Sequence, residues 1–99
     1  MIYQIIDGDL RKMDDNQGYV SARFGPNVHR AFRKVMNLIR AARDERDLRS
    51  VKSLRLEKLR GDRAGQSSMR LNQQFRLIVR FMTDDAGQRI VVIEIVDYH

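Results

Sequence analysis

The sequence predicts an α+β fold, and three stretches carry that prediction. Residues 26–43 place apolar side chains at steps of three and four, as a helix with one buried face does. Residues 66–82 hold two runs around the polar turn Asn72-Gln73-Gln74, the pattern of a hairpin. Ile90 to Val96 is rich in β-branched residues and interrupted only by Glu94, which predicts a central strand covered on both faces.

At 99 residues the chain is expected to form one domain, residues 1–99, with a modest core. It has no cysteine, so disulfides and thiolate zinc sites are excluded. Two histidines, His29 and His99, are too few for a histidine-based metal centre, and no metal or other cofactor is expected. Nineteen Lys and Arg against thirteen Asp and Glu give a net charge of +6, which favours a polyanionic partner. Met1 to Asp7 carries no basic leader and no stretch is long enough to span a bilayer, so a cytoplasmic chain without a membrane partner is expected.

In chain order, Met1 to Ile6 predicts a short strand ending at Asp7-Gly8, after which Asp9 can cap a helical turn carrying Leu10 and Met13. The polar run Asp14 to Gly18 then predicts a loop or frayed helix to Gly25, anchored by Tyr19, Val20 and Phe24. Pro26 suits a first helical position, and Val28, Phe32, Val35, Ile39 and Ala42 form the stripe of the main helix, Pro26 to Arg43. Arg30, Arg33, Lys34 and Arg40 lie on its opposite side, the ordinary outer face of a surface helix. His29 borders the stripe and reads as structural. Asp44 suits an N-cap, predicting a short helix from Glu45 to Lys52 with Leu48 and Val51 turned inward. From Leu54 the period becomes two, predicting a strand through Glu57 that gives way to the loop Arg60 to Gly65.

Directly paired strand residues share a face, so a three-residue turn places Leu71 opposite Phe75, Met69 opposite Leu77 and Ser67 opposite Val79. The other face then receives Arg70 opposite Arg76 and Gln66 opposite Arg80. Opposed like charges are unfavourable unless they splay apart or share an anion. At the tail, Asp97 and His99 share one face by parity, and Glu94 and Tyr98 the other.

Leu59-Arg60-Gly61-Asp62-Arg63-Ala64-Gly65-Gln66, then Met69-Arg70-Leu71-Asn72 leading to Phe75-Arg76, then Val96-Asp97-Tyr98-His99, resembles the HigB branch of the RelE/ParE toxins. The likeness is strong over about the last half of the chain. The first half matches only in layout. The resemblance implies a RelE-like α+β domain: a mainly antiparallel sheet of four to five strands backed by two or three helices from the first half. It implies the toxin of a type II toxin-antitoxin system, an endoribonuclease that cleaves messenger RNA on translating ribosomes, neutralised by a helix-turn-helix antitoxin of the HigA kind. By position, Arg76, Asp97, Tyr98 and His99 match the catalytic group, and Lys58, Arg60 and Arg63 match basic residues of the RNA cleft. Arg70 adds positive charge beside Arg76.

The chain departs from the family at Glu57, where a histidine is common, and near Ser67, where an aromatic residue is common. Losing the aromatic removes a stacking surface of about 1 to 3 kcal/mol per base. Cleavage without metal needs only the substrate's 2′-OH as nucleophile, a base, an acid and positive charge at the phosphate. His99 suits proton transfer, Arg76 a bidentate hold on phosphate, and Asp97 the orientation of His99. Tyr98 suits stacking on a base, holding a phosphate oxygen or closing the edge of the core. A gyrase-directed toxin of the ParE kind, or a member without nuclease activity, is the second reading. A general nucleic-acid-binding domain leaves the tail unexplained.

Overall fold

A computed structural model describes residues 1–98 and has the order β1 (Ile2–Ile5), α1 (Gly8–Asp15), α2 (Pro26–Ala41), α3 (Glu45–Arg49), β2 (Glu57–Lys58), β3 (Ser67–Arg70), β4 (Phe75–Asp84) and β5 (Gly87–Asp97). The strands form one mixed sheet in the order β1-β5-β4-β3-β2, with β1 parallel to β5 and every other pair antiparallel. The α+β class is as the sequence predicts.

The helices cover one face of this sheet. Leu10 and Met13 of α1, Phe32, Met36 and Ile39 of α2, and Leu48 of α3 are fully buried with Met69, Leu77, Val79, Ile90 and Val92 of the strands. The predicted stripe of α2 is buried along its whole length, from Val28 to Ala42. His29 is buried too, and its Nε2 accepts the Ser21 N–H at 3.2 Å, which ties the loop before α2 to the helix.

Four local expectations change. The cap of α1 is Asp7, whose carboxylate accepts the N–H groups of Asp9 and Leu10 at 2.9 and 3.1 Å; the helix starts two residues early because Gly8 can enter it. Val20 is 78% exposed and anchors nothing, whereas Tyr19 and Phe24 do pack on the core. The Asp44 cap is observed, but α3 stops at Arg49. Residues Lys52–Leu54 then form a 3-10 turn, and the strand expected from Leu54 begins only at Glu57, because Arg55 takes the left-handed conformation at φ 46° and only Glu57–Lys58 remain to pair with β3.

The hairpin register is the predicted one, with Ser67 opposite Val79, Met69 opposite Leu77 and Arg70 opposite Arg76. Its turn is closed by Asn72, whose side-chain oxygen accepts the N–H groups of Gln74 and Phe75, each at 2.8 Å. Gln66 does not continue the ladder to Arg80. Its N–H donates to Arg63 O at 3.0 Å within the loop that precedes β3.

The last strand departs from expectation in an instructive way. Ile78 pairs with Glu94 while Val79 pairs with Val92, so Ile93 is an extra residue and β5 is bulged there. Ile90, Val92 and Ile95 face the helices and are buried, while Val91, Ile93 and Val96 are only partly covered. The long apolar run therefore reflects alternation shifted by one residue, and not a strand buried on both faces.

Candidate functional site

The face of the sheet away from the core carries no α-helix among the described residues, and its polar groups come from alternate strand positions. Parity with the buried Leu77 and Val79 turns Arg76 and Ile78 to this open face, and the ladder adds Ser68, Arg70, Glu57 and Glu94. Glu57, Ser68, Ile78 and Glu94 make one row across four strands.

Arg76 lies beside that row with its side chain 12% exposed. Its Nη1 donates to Ser68 Oγ at 3.3 Å and to Arg55 O at 3.4 Å, and lies 3.6 Å from Glu57 Oε1. The left-handed turn at Arg55 thus has a use: it presents a carbonyl to the guanidinium. Ser68 Oγ in turn donates to Glu57 Oε1 at 3.5 Å. Tyr98 extends the edge of β5 by donating its N–H to Gln74 O at 2.6 Å, and its ring centroid is 4.8 Å from Arg76 Cζ. The result is a fixed cation, a half-exposed carboxylate and a half-exposed phenol within one cluster.

The opposed arginines are splayed apart. Arg70 turns away and its Nε donates to Asn72 O at 3.2 Å, while Arg76 turns to Glu57 and Ser68. Arg63, from the loop Arg60 to Gly65, reaches the same face and pairs with Glu94 at 3.1 Å while donating to Gln66 Oε1 at 3.0 Å. Ile78, opposite Glu94, is only 2% exposed although it points away from the helices.

Other expected site residues lie elsewhere. Lys58 follows Glu57 and pairs with Ser67, so it turns to the opposite side, where it lines a cavity of about 320 Å³ with Glu45, Gln66, Phe81 and Gln88. Arg60 is exposed on the loop. Asp97 pairs with Phe75 on the helix side of the ladder and accepts Gln74 Nε2 at 3.0 Å. His99 lies outside the described residues. Ser68 is the partner that residue-by-residue matching passes over, and its sequence signal is strand parity; Glu57 is marked there only as a departure from the family. Among the described residues no group of three or more His, Cys, Asp or Glu side chains could hold a metal ion.

Remote from this cluster, Asp9 accepts hydrogen bonds from Ser21 Oγ at 2.6 Å and from the Tyr19 hydroxyl, and Arg23 lies 3.3 Å away. These two hydrogen bonds and the arginine charge hold its carboxyl below the usual carboxylate range. The same bond raises the Tyr19 phenol. This network joins α1 to the loop whose Phe24 ring meets Phe75 edge-on at 6.1 Å, one residue before Arg76.

Residues 10–99 match the family described as the RelE-like toxin HigB of type II toxin-antitoxin systems. No curated protein matches the chain. Among solved structures, a YoeB/ParE toxin from Agrobacterium tumefaciens aligns over the whole of both chains with a TM-score of 0.60 at 19% identity. A chain of the YoeB-YefM complex from Staphylococcus aureus aligns with a TM-score of 0.52 at 16% identity, covering 100% of this chain and 97% of that one. At such identities the two structures speak for the fold.

Proposed function

The chain belongs to the HigB-like family of RelE-like toxins of type II toxin-antitoxin systems, and from that premise we propose that it is a ribosome-dependent endoribonuclease acting on translated messenger RNA in the cytoplasm. One observation carries the reading: Arg76 is held on the open face between a carboxylate, a hydroxyl and an aromatic ring. A cation beside a carboxylate supplies two of the groups that RNA transesterification needs, positive charge at the phosphate and a base.

In this mechanism the 2′-OH of the substrate attacks the adjacent phosphorus. Glu57 takes the 2′-OH proton, filling with a carboxylate the position where a histidine is usual. Arg76 compensates the extra negative charge of the phosphorane, and a bidentate guanidinium suits its equatorial oxygens. His99, assigned from the sequence, gives its proton to the departing 5′-oxygen, leaving a 2′,3′-cyclic phosphate and a free 5′-OH. Asp97 serves to orient His99, and Tyr98 holds Arg76 and offers a stacking face. Arg60, Arg63 and Arg70 supply positive charge around the strand, while Lys58, turned to the other side, contributes only at long range.

The neighbouring S. aureus structure is a toxin-antitoxin complex by its title. A cognate antitoxin, of the helix-turn-helix HigA kind that the family resemblance implies, is accordingly the proposed protein partner. Induced expression should arrest growth, and primer extension on transcripts from arrested cells should show new ends in phase with codons. Intact transcripts together with stalled DNA replication would replace this reading with the gyrase-directed one.

A further inference from the structure

The open face extends well beyond the Arg76 cluster. Four residues along β4 from Arg76, with the same parity, Arg80 pairs with Val91, which pairs with Gln4 of β1. The next row holds Met82, Arg89 and Ile2, of which Met82 and Ile2 are 40% and 70% exposed. Arg89 lies 4.0 Å from Asp84. Arg80, by contrast, is exposed and its side chain has no hydrogen-bond or ion-pair partner among the described residues.

Its guanidinium lies beside Gly65. Gly65 closes the loop that carries Arg63, and a Cβ built there would lie 3.2 Å from Arg80 Nη1. Gly65 has φ +86°, a backbone conformation that calls for glycine. The Arg63-Glu94 pair anchors the same loop between Arg76 and Arg80. An arginine without a side-chain partner thus lies on the same open face, about 13 Å from Arg76 at the usual rise per strand residue. A few nucleotides of extended single strand span that separation.

We propose that Arg80 is a phosphate-binding subsite for the messenger RNA strand flanking the cut, so that the substrate runs along β4 from Arg76 toward Arg80. This rests on the endoribonuclease reading. Arg63 and Lys58 are less suited to the role, since one is paired with Glu94 and the other turns to the opposite side. Arg80 is the exposed cation of the strand that already holds Arg76. Its contribution is to capture the strand, without touching the reacting atoms.

The test is single-turnover cleavage by the full-length toxin on ribosomes programmed with a defined messenger RNA, read as a half-saturating concentration and a limiting rate across a salt series. Arg80→Gln should raise the half-saturating toxin concentration about tenfold, as loss of a charged hydrogen bond does, with the limiting rate unchanged. The salt slope should fall by about 0.7, the value for one single-strand phosphate contact. Arg80→Lys should restore most of both. On messenger RNA with methylphosphonates at linkages flanking the cut, the wild type and Arg80→Gln should become alike.

A penalty undiminished on the methylphosphonate substrate would put the contact on ribosomal RNA and overturn the assignment. So would a loss confined to the limiting rate, or weakened antitoxin binding with cleavage unchanged. Failure of the wild type to cleave would instead overturn the nuclease reading, and this inference with it.

Discussion

Arg76 Cζ stands 4.8 Å from the centre of the Tyr98 ring, so the last described residue holds the cation that the site is built around. A contact of this kind contributes about 0.5 to 2 kcal/mol. Tyr98→Phe keeps the ring and should leave cleavage within about threefold of wild type, since the hydroxyl is not needed for this contact. Tyr98→Ala should lower the cleavage rate by between about twofold and thirtyfold. Loss of activity in both variants alike would assign the work to the hydroxyl.

Arg76→Ala should reduce cleavage by at least about a hundredfold, the order seen when a group stabilising transition-state charge is removed. It should also lower stability by about 1 to 2 kcal/mol, because Glu57, Ser68 and the Arg55 carbonyl lose their common partner. Relief of repulsion from Arg70 will not offset this, since Arg70 is turned to Asn72. Arg76→Lys should recover stability more than activity, because an ammonium lacks the planar fork. Urea denaturation and programmed-ribosome cleavage, measured side by side, check both.

The proposed roles, Glu57 as base and His99 as acid, predict opposite limbs of the pH-rate profile. A base must be deprotonated and an acid protonated, so Glu57→Gln should remove the acidic limb and His99→Gln the alkaline limb. Each should slow cleavage by about a hundredfold to ten-thousandfold at neutral pH. Circular dichroism should be unchanged for both. Retention of full toxicity by His99→Gln would move the general acid elsewhere.

Asp9 predicts acid sensitivity through a different region. Its folded carboxyl is held low by Ser21 and Tyr19, so the stabilisation is fully present above the unfolded value of about 3.9 and is lost as the pH falls through the folded value. Ser21→Ala should therefore be less stable than wild type at neutral pH, with a gap that narrows on acidification. Denaturant titrations at several pH values measure the gap. A gap independent of pH would show that the serine acts by packing alone.

The regular parts of this fold were legible because they follow from periodicity. The stripe from Val28 to Ala42 is buried as the spacing requires, and the facing of Arg70 and Arg76 follows from turn length and parity. Arg55 was not legible, because nothing in an arginine announces a left-handed backbone, and Leu54 with Leu56 imitates alternation. Glu57, matched by position, shows only that a common histidine is replaced. Its place beside Arg76 depends on pairing between β2 and β3, which brings together residues eleven apart. The bulge at Ile93 has no local signature at all, since an isoleucine among β-branched neighbours fits either face.

That bulge means that β5 can be counted in two frames. Read straight from Val92, without skipping a residue, the strand would set Ile93 opposite Ile78 and Glu94 opposite Leu77, putting a carboxylate into the core and turning Tyr98 away from Arg76. Ile93 is the uncounted residue that keeps the later frame. Its removal would leave Glu94 opposite Ile78, Asp97 opposite Phe75 and the tail where it is. Removal of Ile95 would have no such solution: with the bulge kept, Val96 would replace it against the core, but Asp97 would oppose Arg76 and Tyr98 would turn to the helix side. In this strand a lost residue leaves the tail in register, with apolar groups against the core, where closing the bulge absorbs it.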